Sequence, residues 1–257
     1  MVSGMKLAHS LFPCTLLAFC VLVPRSPAAD VIAHYTFDKD FSAAGGSTGP
    51  LNPEGDAGIS NSEFVFGGGA LLLDGDKDYA WSPDPGFRMN QEDFALSFWY
   101  RRNRAEDIFE PLVGWGNSVA NNGYAVRLIK SAIKNERGVV EGLLNDNAEK
   151  SVTATQPDTQ DNTFQHVVMQ RKEGVLELYL NGEPVDSEPG VGEWDLAENE
   201  KRAGFRFAFD IGACNTHEDG TGTVGAFSGL IDEVWVFNAA LSPAEIKALK
   251  EKNEPPK

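Results

Sequence analysis

Cysteine is scarce in this chain of 257 residues, which has three. Two of them, Cys14 and Cys20, sit in an N-terminal stretch that reads as a leader, so the remainder keeps Cys214 alone and cannot close an internal disulfide. Histidine numbers four, and Cys214 with His217 supplies fewer ligands than zinc takes, which argues against zinc or triad chemistry. Basic residues are also short: 22 Lys and Arg stand against 38 Asp and Glu, a net charge of −16. A field of that sign repels phosphate backbones and anionic lipid, so nucleic acid is not an expected partner; neutral polymers, cations and basic proteins are. Long apolar runs are limited to Leu11 to Val23, a stretch broken by Pro13, closed by Pro24 and shorter than the roughly 20 residues of a spanning helix, so the chain is not expected to span a membrane.

That run has the layout of a secretory signal peptide. Lys6 gives a positive start, Leu11 to Val23 an apolar middle, and Ser26-Pro27-Ala28-Ala29 the small residues of a cleavage site. Leu17-Ala18-Phe19-Cys20 places a leucine three positions before a cysteine, as lipoproteins do, but Phe19 is too bulky for that processing. Residues 1–29 are therefore expected to be a signal peptide, 30–251 one domain and 252–257 a polar tail, with the product exported to the periplasm, the cell surface or the medium. Without disulfides, a domain of this length still buries a core of useful size.

What the sequence does have is short apolar runs of period two, broken by Gly, Asn, Asp and Pro, the pattern of an all-β domain. Expected strands are Ile32 to Phe37, Ala70 to Leu73, Phe94 to Arg101, Leu112 to Trp115, Tyr124 to Ile129, Val139 to Leu144, Gln165 to Lys172, Val175 to Leu180, Phe205 to Ile211 and Leu230 to Phe237. So many strands require two packed sheets. Asn181-Gly182, after Leu176 to Leu180, marks a tight hairpin turn, and Glu173-Gly174 links the two strands before it into a meander. Ala43 to Gly58 reads as an extended Gly/Pro-rich loop. One helix is expected: Ser242 caps it, Pro243 suits its first position, Glu245 completes a capping box, and Ile246 and Leu249 give it an apolar side.

The order of these motifs resembles the laminin G-like (LamG-like) jelly-roll domains of the concanavalin A-like lectin/glucanase superfamily. The resemblance rests on His34-Tyr35-Thr36-Phe37-Asp38, Ala70-Leu71-Leu72-Leu73-Asp74-Gly75 with Asp78-Tyr79, and Phe94 to Tyr100. It continues through Phe164-Gln165-His166-Val167-Val168, Leu178 to Gly182, Gly229-Leu230-Ile231-Asp232-Glu233-Val234 and the Ala240 to Ile246 helix start. It implies a two-sheet antiparallel jelly-roll sandwich with a short C-terminal helix, and a concave face that relatives use for sugars or proteins. It does not imply an activity, since relatives include lectins, adhesion domains, glycosidases and lyases.

Glu193-Trp194-Asp195-Leu196-Ala197-Glu198 resembles the acidic E-x-D-x-x-E string of laminarinase-type glycosidases. A retaining mechanism needs two carboxylates about 5 Å apart, and the resemblance implies that they lie on a strand, whereas this string lies among Gly190, Gly192, Glu200 and Lys201 in what reads as a solvated loop. No catalytic residue is assigned. Calcium, bound by oxygens from separate loops, is the better chemical expectation, with Asp38, Asp76, Asp78 and Asp232 as candidate ligands. Asp232 alternates with Leu230, Val234 and Val236, so it should share their face, where a carboxylate needs a metal, a basic group or backbone amides. Among the tryptophans, Trp115 between Gly114 and Gly116 is the preferred exposed platform for a sugar ring, with Asn121 and Asn122 to bond hydroxyls. The reading is an exported non-enzymatic domain that binds carbohydrate with possible calcium assistance. A module binding extracellular protein is the runner-up, and a glycosidase or lyase using Glu193 and Glu198 comes third.

Overall fold

The computed structural model describes Met1 and residues 29–104, 109–117, 122–129, 139–146, 149–154, 162–192, 194–195, 207–214 and 227–257. They form the expected two-sheet antiparallel sandwich with one C-terminal helix. The first sheet runs β14(Glu183–Pro189), β13(Val175–Leu180), β12(Gln165–Lys172), β7(Phe94–Arg104), β16(Ser228–Phe237), β1(Val31–Tyr35) and β2(Gly45–Gly46), with β5(Ala70–Asp74) pairing both β16 and β4(Gly58–Ser60). The second runs β11(Glu149–Ala154), β10(Val139–Asp146), β9(Asn122–Ile129), β8(Phe109–Asn117), β15(Phe209–Ile211), β6(Tyr79–Ser82) and β3(Asn52–Glu54). The meander β12, β13, β14 turns as the dipeptides require: Glu173 and Gly174 have φ of 50° and 79°, Asn181 and Gly182 of 53° and 86°.

Inward-facing residues of both sheets make one core, including Tyr35, Leu96, Phe98, Trp115, Tyr124, Val167, Leu178 and Phe209. A second cluster lies on the outer face of the first sheet, where Leu241, Ile246 and Leu249 of helix α1 (Pro243–Lys252) and its lead-in cover Ala95, Val168, Tyr179, Trp235 and Phe237. Ser242 and Glu245 form the capping box, and Asn253 at φ 53° closes the other end. The edges of the two sheets are seamed: Lys150 Nζ meets Glu188 Oε1 at 2.6 Å, and the Thr153 amide donates to Asp186 Oδ2 at 2.8 Å. Acidic side chains and Pro184 on β14 also blunt an edge that could pair with other chains.

Two local expectations need correction. The Ala43 to Gly58 segment is not one loop, because its backbone pairs as β2, β3 and the start of β4; these strands are too short for alternation to register. Asp232 does not share a face with Val234 and Val236. A bulge between Asp232 and Trp235, with Glu233 at φ 52°, adds a residue against β7 and reverses the alternation. Ile231, Val234 and Val236 enter the core, while Trp235 and Phe237 lie under the helix.

Candidate functional site

The run Ser82-Pro83-Asp84-Pro85-Gly86 breaks strand structure after β6, and the chain crosses to the first sheet through residues 83–93. Within this crossover Phe87 and Met89 point into the core, Phe87 meeting Phe209 edge to face at 5.3 Å. The residues between and after them stay at the surface, where Arg88, Asn90, Glu92 and Asp93 meet Ile32 of β1 and Asn238 beyond β16. The result is a cleft of about 340 Å³ at the end of the sandwich, with an apolar floor and amide, carboxylate and guanidinium groups on its rim.

Arg171 holds this crossover from behind. Its side chain on β12 is fully buried, and it donates to the carbonyl of Asn90 at 2.5 Å, to Glu92 O from Nε at 2.9 Å and from Nη2, and to Trp194 O at 2.7 Å. Its guanidinium also lies 5.5 Å from the Phe94 ring centre. Burial lowers its pKa, against the pull of Asp93, Glu92 and Asp195. Asp93 ties the same segment to the β12–β13 turn, both its oxygens accepting from the Glu173 amide at 3.0 Å. At the other wall the Asp30 amide donates to Asn238 Oδ1 at 2.8 Å and Asn238 Nδ2 to Asp30 Oδ2 at 3.3 Å. Arg88 donates to Phe87 O at 2.8 Å and faces Asp84 at 3.6 Å.

The expected sugar platform is elsewhere. Trp115 is 1% exposed and packs in the core between Tyr124, stacked at 6.2 Å, and Phe207, edge-on at 5.7 Å. The flanking glycines belong to β8, which turns Trp115 into the core rather than to the surface. Asn121 lies outside the described residues; Asn122 opens β9 opposite Asn117, and its side chain is likewise outside the description. Of the acidic string, Glu193 and Glu198 lie outside the described residues, and Trp194 packs against the core.

The four candidate calcium ligands act on separate pieces of backbone. Asp38 Oδ1 accepts from the Gly68 amide at 2.5 Å, and Asp232 Oδ2 from Val65 at 2.7 Å and Phe66 at 3.4 Å, so two distant acids pin one short segment. Gly67 at φ 68° is required there, since a Cβ would fall 2.0 Å from Asp38 Oδ1. Asp78 accepts from Asp56 at 2.6 Å and Asp74 at 3.1 Å, and burial raises its pKa against those bonds. Asp76 is exposed, its amide donating to Asp74 Oδ1 at 2.8 Å. Among the described residues no group of three or more His, Cys, Asp or Glu is placed to hold a metal ion. Asp232 Oδ1 is buried without a well-formed hydrogen bond, and burial, reinforced by the Glu233 charge and opposed by the Val65, Phe66 and Glu233 amides, pushes this carboxyl up to about 7.

The cleft was not legible beforehand. The breaker run announces a crossover and Phe87 and Met89 announce its anchors, but nothing local ties Arg171 to Asn90 across 81 positions of sequence. Cys214 is buried outside any disulfide among the described residues, where no helix is long and apolar enough to cross a membrane.

A family model described as the concanavalin A-like lectin/glucanases superfamily matches residues 74–247. No curated protein sequence matches the chain. Among solved structures, domain 4 of AbnA, a GH43 extracellular arabinanase from Geobacillus stearothermophilus in complex with arabinotriose, superposes with a TM-score of 0.64 at 19% identity, over 88% of this chain and 100% of that one. The receptor binding domain of botulinum neurotoxin D gives 0.62 at 14% identity, over 87% of this chain and 52% of that one. The binding domain of botulinum neurotoxin DC in complex with SialylT gives 0.60 at 14% identity, over 87% and 51%. The chain thus spans about half the length of the toxin chains it resembles.

Proposed function

The chain belongs to the concanavalin A-like lectin/glucanase superfamily, and from there we propose that it is an exported, non-enzymatic domain that binds carbohydrate in the cleft between residues 87–93 and Asn238. The observation that carries this reading is the cleft's composition: an apolar floor from Ile32, Phe87 and Met89 beneath Asn90 and Asn238 amides, the mixture that a saccharide's C–H faces and hydroxyls call for. The arabinanase and toxin domains, which were solved with arabinotriose and SialylT, lend the class further support. Binding rather than turnover is favoured because Asp93, the carboxylate beside Glu92, turns both oxygens to the Glu173 amide. The leader-like N-terminus supports export.

The proposal includes calcium assistance from acids that also accept backbone amides, with Asp232 Oδ1 the buried oxygen left open. Thermal unfolding with calcium against chelator tests that separately from sugar binding. For the binding itself the test is a glycan array followed by titration calorimetry on Asn90→Ala and Asn238→Ala. Hits that both substitutions weaken, in protein that remains folded, support the assignment. An array without hits, or hits indifferent to both, would sink it and favour the protein-binding reading.

A further inference from the structure

The charges around the cleft reach further than the class of ligand. Arg88 is the one cationic side chain among the described residues lining it, and its guanidinium is already engaged by Phe87 O, by Asp84 and by the face of Trp115 at 6.0 Å. Arg171, the cation behind the loop, is buried and turned to carbonyls. Against these stand Glu92, exposed at the rim, Asp93 beside it, and Asp30 bonded to Asn238 on the opposite wall. The chain adds a net charge of −16.

Resting on the carbohydrate reading, we propose that this cleft selects by charge: it takes the neutral, hydroxyl-bearing end of a glycan and rejects glycans that carry carboxylate or sulfate. A hydroxyl can donate to Glu92 and accept from the carboxamides of Asn90 and Asn238, whereas an anion brought to the same place meets the Glu92 and Asp93 carboxylates and, as cation, only Arg88, already engaged by Phe87 O and Asp84. Like charges within about 8 Å at a partly solvated site oppose binding enough to weaken it at least about tenfold when two or three act together. The Asn90 carboxamide makes no hydrogen bond among the described residues and is the donor and acceptor available to the sugar.

The test uses the full chain against a panel of neutral oligosaccharides (arabinan, xylan, mannan and β-glucan fragments) and anionic ones (oligogalacturonate, oligoalginate, heparin fragments and sialyllactose), at low and at moderate salt. The expected result is binding confined to neutral members, insensitive to salt, with anionic members at least about tenfold weaker and gaining as salt screens the repulsion. Glu92→Lys, at an exposed position where the backbone carbonyl rather than the carboxylate accepts from Arg171, should narrow the ratio between an anionic and a neutral ligand severalfold in protein that still folds. Anionic ligands that bind as well as neutral ones, and lose affinity as salt rises, would overturn charge selection and leave the carbohydrate reading standing. An unchanged ratio in Glu92→Lys would also overturn it, and a panel with no binding at all would overturn both.

Discussion

Arg171 donates to the carbonyl oxygen of Asn90 at 2.5 Å, a bond between a buried residue of the first sheet and the loop that lines the cleft. Loops that bind ligands are mobile unless something orders them, and here a planar guanidinium spans three backbone carbonyls at once. Arg171→Met should cost about 3 kcal/mol in chemical denaturation, because it strands buried carbonyls. Arg171→Lys, which keeps the charge but not the fork, should fold with a smaller loss yet weaken the ligand of the cleft. Unchanged affinity in folded Arg171→Lys would show that the loop does not need this anchor.

Asp232 gives stability a pH dependence of unusual sign for a carboxylate. Its folded value of about 7 lies above the ordinary 3.8, so between those limits the folded chain holds a proton that the unfolded chain releases. Its contribution is present at low pH and is lost as pH rises toward 7. Asp232→Asn, which cannot ionise, should therefore gain on the wild type by on the order of 2 kcal/mol between pH 5 and pH 8, read from denaturation curves at each pH. Parallel curves for the two proteins would contradict the assignment.

His166 acts in the opposite direction. Buried beside Ser97, whose Oγ lies 2.9 Å from its Nε2, it is pulled down to about 3 by burial and by Lys250. The unfolded chain then binds the extra proton, so its contribution holds above about pH 6.5 and is lost as pH falls toward 3. Its ring resonances should stay unshifted by NMR from pH 8 down to pH 4.5. A titration near pH 6.5 would mean that the ring reaches water.

Trp115 should behave as a core residue. Trp115→Ala is expected to cost about 4 kcal/mol in urea unfolding, given its burial against Tyr124 and Phe207. Trp115→Phe should fold and keep ligand affinity. A folded Trp115→Phe that no longer binds would return this residue to the ligand.

His34 and Glu233 illustrate why much of the site was hidden. Their side chains meet at 2.5 Å across 199 positions, with the imidazole stacked on Trp235 at 3.3 Å, and the contact exists because a bulge redirects β16. The alternation around Asp232 was legible, but its phase was not, since one extra residue in a strand reverses every side chain beyond it. For Asp38, Asp78 and Asp232 the need for a partner was legible too. Which partner would meet it was not: each of these acids accepts from backbone amides elsewhere in the chain.

The sequence by itself determined the class of fold, the meander turns and the capped helix. Each rests on interactions within a few residues: period-two burial, left-handed φ at Asn181-Gly182 and Glu173-Gly174, and the reciprocal bonds of Ser242 and Glu245. Tertiary structure alone decided that Trp115 is core, that Asp38 and Asp232 pin one segment, and that residues 87–93 meet Ile32 and Asn238 around a cleft. Burial and hydrogen-bond partnership are properties of chains brought together by sheet pairing, and they are settled when strands far apart in sequence find their register.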